Sequence, residues 1–224
     1  MSAVEYATAT KKVSLSVGFT VGLYGIAFGA AGIAAGFSPL QTSLLSLLTF
    51  TGASQFAAVG VIGAGGSAIS AIATASLLGL RNVLYGVVMA PRLRVRGFKR
   101  VVAAQLTIDE STGVALGREP FGEDEMRRGF WWTGIAVYIF WNAFTLVGAF
   151  GAQALGDPQT WGLDAAVPAA FLGLLWPRLT SATSRMIAVL AAVLALALTP
   201  VLPAGLPIIA TVTIALFFGL REKP

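Results

Sequence analysis

The 224-residue chain contains no cysteine and no histidine. Those two absences remove disulfides, thiol nucleophiles, thiolate metal sites and imidazole catalysis or ligation together. Charge is scarce as well. Only 11% of residues are Asp, Glu, Lys or Arg, where an average soluble domain has roughly 25%. With 56% hydrophobic residues, the composition excludes a soluble globular enzyme, a disordered chain and a fibrous one, and leaves an integral membrane protein. The net charge of +5 comes from 15 basic against 10 acidic residues. The basic residues stand between apolar runs, where they orient spans in a bilayer, and not as a patch for nucleic acid. The expected partner surface is therefore lipid, with no nucleic acid.

A membrane-crossing helix needs about 20 mostly apolar residues. Seven segments reach or approach that length: 13–36, 39–62, 67–90, 130–152, 163–177, 185–199 and 204–220. They are continuous and rich in Ala, Leu and Gly, without the alternation of transmembrane strands. The expected fold is all-α: a single polytopic transmembrane bundle over 1–224 of about seven spans, with room for broken or re-entrant helices. Spans 1–3 fall within 13–90 and spans 4–7 within 130–220, joined by a connector at 91–129. The first run follows Lys11 and Lys12 but is longer than the 7–15 residues of a signal-peptide core, so it reads as a retained span.

The connector opens with Pro91 and carries Arg92, Arg94, Arg96, Lys99 and Arg100, then Arg127 and Arg128. Positive charge marks the cytoplasmic side. Arg178, Arg185, Arg221 and Lys223 then fall inside, and the loops holding Asp157 and Pro200–Pro203 outside. Three spans before the connector would put the N-terminus outside, against Lys11 and Lys12. The other arrangement keeps it inside and makes part of 39–90 re-entrant or broken, which the Gly63–Ser67 stretch and Gly79 permit. Trp131 and Trp132 at the start of the fourth span and Trp161 beyond its end suit an aromatic belt. Trp141, at mid-span, suits core packing.

Gly18, Gly22, Gly25, Gly29, Gly32 and Gly36 alternate in steps of four and three. A 3.5-residue period draws one narrow stripe without side chains along the first span. Close packing against a neighbouring helix is one reading. A smooth surface on which helices slide or a partner docks is the other.

Three polar clusters interrupt the apolar runs. Arg81 lies inside the third span, where a guanidinium costs about 2.5–3.5 kcal/mol on insertion scales. Asn82 adjoins it and Tyr85 shares its face one turn on. It either serves a site, snorkels to the interface or forms a structural ion pair. Gly52, Ser54 and Gln55 interrupt the second span; a helix loosened here would expose backbone groups to a ligand, or Ser54 and Gln55 simply bridge neighbouring helices. Asp109 and Glu110 lie in a stretch, 101–117, too short and polar for a span. They are either a solvated acidic pair or, on a helix dipping into the membrane, the partners of Arg81 and the carboxylates for proton coupling. No nucleotide loop, metal spacing or activated serine is present, so no enzyme, metal or cofactor is expected.

At these clusters the chain resembles the AzlC family, the large subunits of two-component branched-chain amino acid exporters of the LIV-E type. The matching pieces are Gly52-Ala53-Ser54-Gln55-Phe56, Leu80-Arg81-Asn82-Val83-Leu84-Tyr85-Gly86 and Leu106-Thr107-Ile108-Asp109-Glu110, in that order. The resemblance is strong over about 20–120; beyond 130 it rests on hydropathy and length. Family members often carry His where this chain has Asn82, which cannot titrate, and commonly place Asp-Glu directly after Thr, where Ile108 intervenes. The resemblance implies export of leucine, isoleucine, valine and also methionine across the bacterial inner membrane, with a small AzlD-like membrane subunit as partner. A zwitterionic substrate would fit the clusters physically. Its carboxylate suits Arg81 or the helix start near Gly52–Gln55, its ammonium suits Asp109 or Glu110, and its side chain would rest on Phe56 and Leu84. The competing reading is a non-transporting scaffold or channel-like membrane subunit.

Overall fold

The computed structural model describes residues 3–156 and 165–220, with Thr160 and Gly162 between them. The expectations resting on Asp157, Trp161, Arg221 and Lys223 lie outside the described residues. All regular structure among the described residues is helical. Three stretches are long and apolar enough to cross a membrane: Val4–Ala34, Ala68–Leu93 and Glu123–Leu155. The first comprises α1 (Ala3–Gly22) and α2 (Tyr24–Ala34), meeting at Leu23; the others are α5 and α8. Of the seven expected spans, the remaining four correspond to shorter helices.

The 39–62 run is not one helix. It divides into α3 (Pro39–Leu48) and α4 (Ala53–Gly63). Ser38 caps α3 reciprocally with Gln41, with Pro39 at the first helical position, where its missing N–H costs nothing. Gly52, at φ +28, turns the chain into α4. The α3 carbonyls freed by the break accept from distant side chains. Gln55 Nε2 donates to Ser46 O at 3.1 Å. Gln105 Nε2 donates to Leu47 O at 3.0 Å, and the Tyr138 hydroxyl donates to the same oxygen at 3.3 Å. A break away from water is tolerated only when its backbone groups are met in this way.

The connector behaves alike. After α5, which runs past Pro91 to Leu93, come α6 (Phe98–Gln105) and α7 (Asp109–Arg118). At their junction the Thr107 hydroxyl donates to Ala103 O at 2.7 Å. The Ser111 hydroxyl donates to Leu106 O at 2.6 Å and accepts from Ile108 N–H at 3.1 Å. The two helical hairpins, α3–α4 and α6–α7, thus enter from opposite ends and touch at their tips through Gln105. Each follows a long helical run, α1–α2 or α5. This order, a span and then a broken hairpin, given twice with opposite direction, is the arrangement of inverted repeats.

The glycine stripe packs inside the molecule. A Cβ on Gly18 would stand 2.5 Å from Ala136 Cβ and one on Gly22 2.5 Å from Phe140 Cβ. One on Gly25 would meet the Trp141 carbonyl oxygen, and one on Gly29 that of Thr145. Gly148 on α8 answers from the other side, against the Ile26 backbone. Two members depart from the expected seam. Gly32 faces Thr42 of α3, and Gly36, at φ +87 with open space where a Cβ would stand, ends the helix in the left-handed region.

Partners rise in step along both helices: Thr10 with Glu125, Ser14 with Thr133, Gly18 with Ala136, Gly29 with Ala149. The α1–α2 run and α8 are therefore parallel. The N-terminal helix, with Lys11 and Lys12, begins at the same end as Arg127 and Arg128, and the pairs Arg92–Glu119 and Arg94–Glu123 lie there too. This is the second arrangement open at the sequence level: the N-terminus shares the basic end, and the re-entrant α3–α4 hairpin restores the count. Beyond α8 come α9 (Ala166–Leu175), a single 3-10 turn at Trp176–Arg178, α10 (Ala182–Leu198), α11 (Leu206–Ala210) and α12 (Val212–Gly219).

Candidate functional site

The starts of α4 and α7 open on one cavity of about 270 Å³. No side chain caps α4 at Gly52, and the first N–H groups of any helix lack partners within it, so this positive helix end meets the cavity. Arg81 and Asn82 enter from the middle of α5, and Asp109 and Glu110 from the first turn of α7. Tyr24, Val137, Trp141, Phe171 and Leu175 supply apolar and aromatic wall from α2, α8 and α9.

Arg81 Nη1 donates to Asp109 Oδ2 at 2.7 Å. Arg178 Nη2 donates to the same oxygen at 3.0 Å. Arg178 had only an orienting role at the sequence level, as one of the charges marking the cytoplasmic side. The structure instead brings it to the cavity on the turn that ends α9. Its signal in the sequence is an arginine after Trp176-Pro177 between two apolar runs, with no acidic neighbour. Three acceptor atoms on residues that line this space are buried without a hydrogen-bond partner among the described residues: Asp109 Oδ1, Asn82 Oδ1 and Thr51 Oγ1. Buried polar atoms are normally satisfied. All three belong to residues that line the same cavity as the two guanidiniums.

Several expected site residues are elsewhere. Gln55 is 1% exposed and lies behind the cavity; besides donating to α3 carbonyls, it accepts from Trp141 Nε1 at 3.0 Å. Its role is to bridge α3, α4 and α8, the other reading its residue type allowed. Ser54 is buried without a partner for its hydroxyl, close to Gly79 of α5, and does not line the cavity. Tyr85 stands near Asp109, outside the lining. Neither expected apolar contact is in the wall. Phe56 is fully buried in an aromatic cluster with Phe28, Trp141 and Phe171, and Leu84 is exposed on the outer face of α5. Glu110 lines the cavity but forms no ion pair among the described residues.

A second cavity, also about 270 Å³, lies among α2, α4 and α9, lined by Ala31, Gly60, Val167 and Pro168. Helix α9 borders both: Val167 and Pro168 line the second cavity, while Phe171, packed on Phe56 with ring centroids 6.1 Å apart, lines the first at its edge toward them. No group of acidic residues among the described ones could hold a metal ion.

Fold and site together define a multi-pass helical membrane protein with a cavity at the starts of two half-helices, its wall largely apolar and set with a few charged groups. The chain belongs to the AzlC protein family, whose model matches residues 16–155. That region holds both hairpins, the glycine seam and every cavity residue except those on α9 and its terminal turn. The chain is 31% identical over 160 residues to the inner membrane protein YgaZ of Escherichia coli K12, an alignment covering 66% of the chain and 63% of that protein. It is 32% identical over 154 residues to an uncharacterized membrane protein of Archaeoglobus fulgidus, covering 68% of the chain and 66% of the relative. The chain thus spans less than two thirds of the length of either relative. No solved structure matches it.

Proposed function

We propose that the protein exports hydrophobic, branched-chain L-amino acids (leucine, isoleucine, valine and also methionine) across the inner membrane. It does so as the large subunit of a two-component secondary transporter with a small AzlD-like membrane subunit. Membership of the AzlC family supports this reading, and one observation carries it: a single cavity holds guanidiniums, unpaired acceptors and an apolar wall. A zwitterion needs all three at once. Its carboxylate takes charge-assisted hydrogen bonds and the open start of α4. Its ammonium supplies three donors for Asp109 Oδ1, Asn82 Oδ1 and Thr51 Oγ1. Its side chain rests on Trp141, Phe171 and Leu175. The volume lies just below the roughly 300 Å³ at which drug-sized sites begin, a space for one small molecule.

By the positive-inside rule the basic end, with the N-terminus, faces the cytoplasm. Alternating access is rocking about the cavity between the repeats, with the second cavity as the route to the outer end once Phe171 leaves Phe56. Glu110, the cavity carboxylate with no ion pair among the described residues, serves proton coupling. The test is leucine efflux from reconstituted vesicles, with and without the small partner, across an imposed pH gradient. Saturable leucine flux supports the carrier. Linear ion conductance, or no flux with the partner present, identifies a channel-like subunit or a scaffold.

A further inference from the structure

Two guanidiniums share one carboxylate oxygen in the cavity, so one of them is in surplus, and the two are held differently. Arg81 projects from the middle of α5, its side chain 32% exposed and 2.7 Å from Asp109 Oδ2. Arg178 stands on one 3-10 turn between α9 and the capped start of α10, its side chain 63% exposed and 3.0 Å from the same oxygen. Arg81 is the fixed counter-charge of Asp109. Arg178 has the longer contact and the more exposed side chain, and it stands on a single short turn where Arg81 stands inside a long helix. We infer that Arg178 is the residue that binds the substrate carboxylate, exchanging its bond to Asp109 for a fork of hydrogen bonds to the ligand.

The exchange leaves charge balanced. Asp109 keeps Arg81 and gains the ligand ammonium, while Arg178 gains the ligand carboxylate. Because Arg178 follows directly on α9, which borders both cavities, the same exchange ties that helix to occupancy of the site. Arginine suits the task, since its planar fork matches a carboxylate at two points where an ammonium offers a single charge. The inference rests on the amino-acid reading above and assigns a specificity residue within it.

The experiment compares L-leucine with L-leucinamide, which keeps the ammonium and the side chain but has no carboxylate. Binding of both is measured on the full-length protein in detergent, for the wild type, Arg178→Ala and Arg178→Lys, each passed through size-exclusion chromatography to establish that it is folded. The wild type is expected to prefer leucine by about ten- to a hundredfold, the worth of a hydrogen bond to a charged group. In Arg178→Ala that preference falls to near unity while leucinamide binds as before, and Arg178→Lys keeps part of it. Equal losses for both ligands, or a preference that survives in Arg178→Ala, would overturn the assignment. A wild type that binds leucine and leucinamide equally would also overturn it and leave the exporter reading standing. A wild type that binds neither contradicts the exporter reading itself.

Discussion

Arg81 and Asp109 meet at 2.7 Å, although one stands in the middle of a long helix and the other opens the second half-helix of the hairpin that follows it. Their side chains are 32% and 19% exposed, so the pair is only partly shielded. It should couple more strongly than a surface pair, worth about 0–1 kcal/mol. A double-mutant cycle on thermal stability with Arg81→Ala, Asp109→Ala and the double variant is expected to give a coupling of about 1–3 kcal/mol. Additive effects would mean that the contact does not hold α7 against α5.

The glycine seam predicts a severe packing defect. Leucine at Gly29 would drive a side chain into the Thr145 carbonyl and the Ala149 N–H of α8. Overpacking typically costs about 1–3 kcal/mol, and backbone on the receiving side has little room to move. Gly29→Leu should lower the melting temperature sharply or prevent assembly. Gly86→Ala, with nothing near its Cβ position, should leave the protein as stable as before. A Gly29→Leu protein of native stability would remove the seam from the account.

Much of this was legible in the sequence, for physical reasons. A 3.5-residue glycine period can only be read as a close helix contact or a sliding face, and six glycines at about 1 kcal/mol each demand one of them. An arginine amid apolar residues demands a carboxylate or a cavity, and the nearest unexplained carboxylates were Asp109 and Glu110; the structure selects Asp109. The half-helices were less legible. Gly52, Ser54 and Gln55 mark where the 39–62 run loosens, but the groups that make the break at Phe50–Gly52 tolerable, Gln105 and Tyr138, lie 57 to 91 positions from the carbonyls they serve. Arg178 was hidden by the rule that reads a cation between apolar runs as an orienting charge. Only the fold shows that its turn reaches the cavity.

The parallel packing of α1–α2 on α8 fixes which ends lie together, and the absence of cysteine makes this easy to check. Lys12→Cys, at the basic end, should react with a membrane-impermeant maleimide only after cells are permeabilised. Ala64→Cys, at the close of α4 at the opposite end, should react in intact cells. Labelling of both from the outside would contradict the re-entrant hairpin.

Among the described residues Glu110 lines the cavity without an ion pair, whereas Asp109 is held by two. Removing the titratable group should therefore uncouple transport from the pH gradient without emptying the site. Glu110→Gln is expected to bind leucine within about threefold of the wild type and to lose the response of efflux to an imposed gradient. Asp109→Asn should lose binding by about tenfold or more, as expected when a charged hydrogen-bond partner is removed. An unaltered pH response in Glu110→Gln would place the coupling elsewhere.

The most direct test of the cavity as the transport site is leucine efflux from vesicles that hold the Arg81→Ala protein together with the small subunit. The protein should insert and fold, and saturable efflux should fall to the level of empty vesicles. Efflux at the wild-type rate would show that substrate does not pass between the two hairpins.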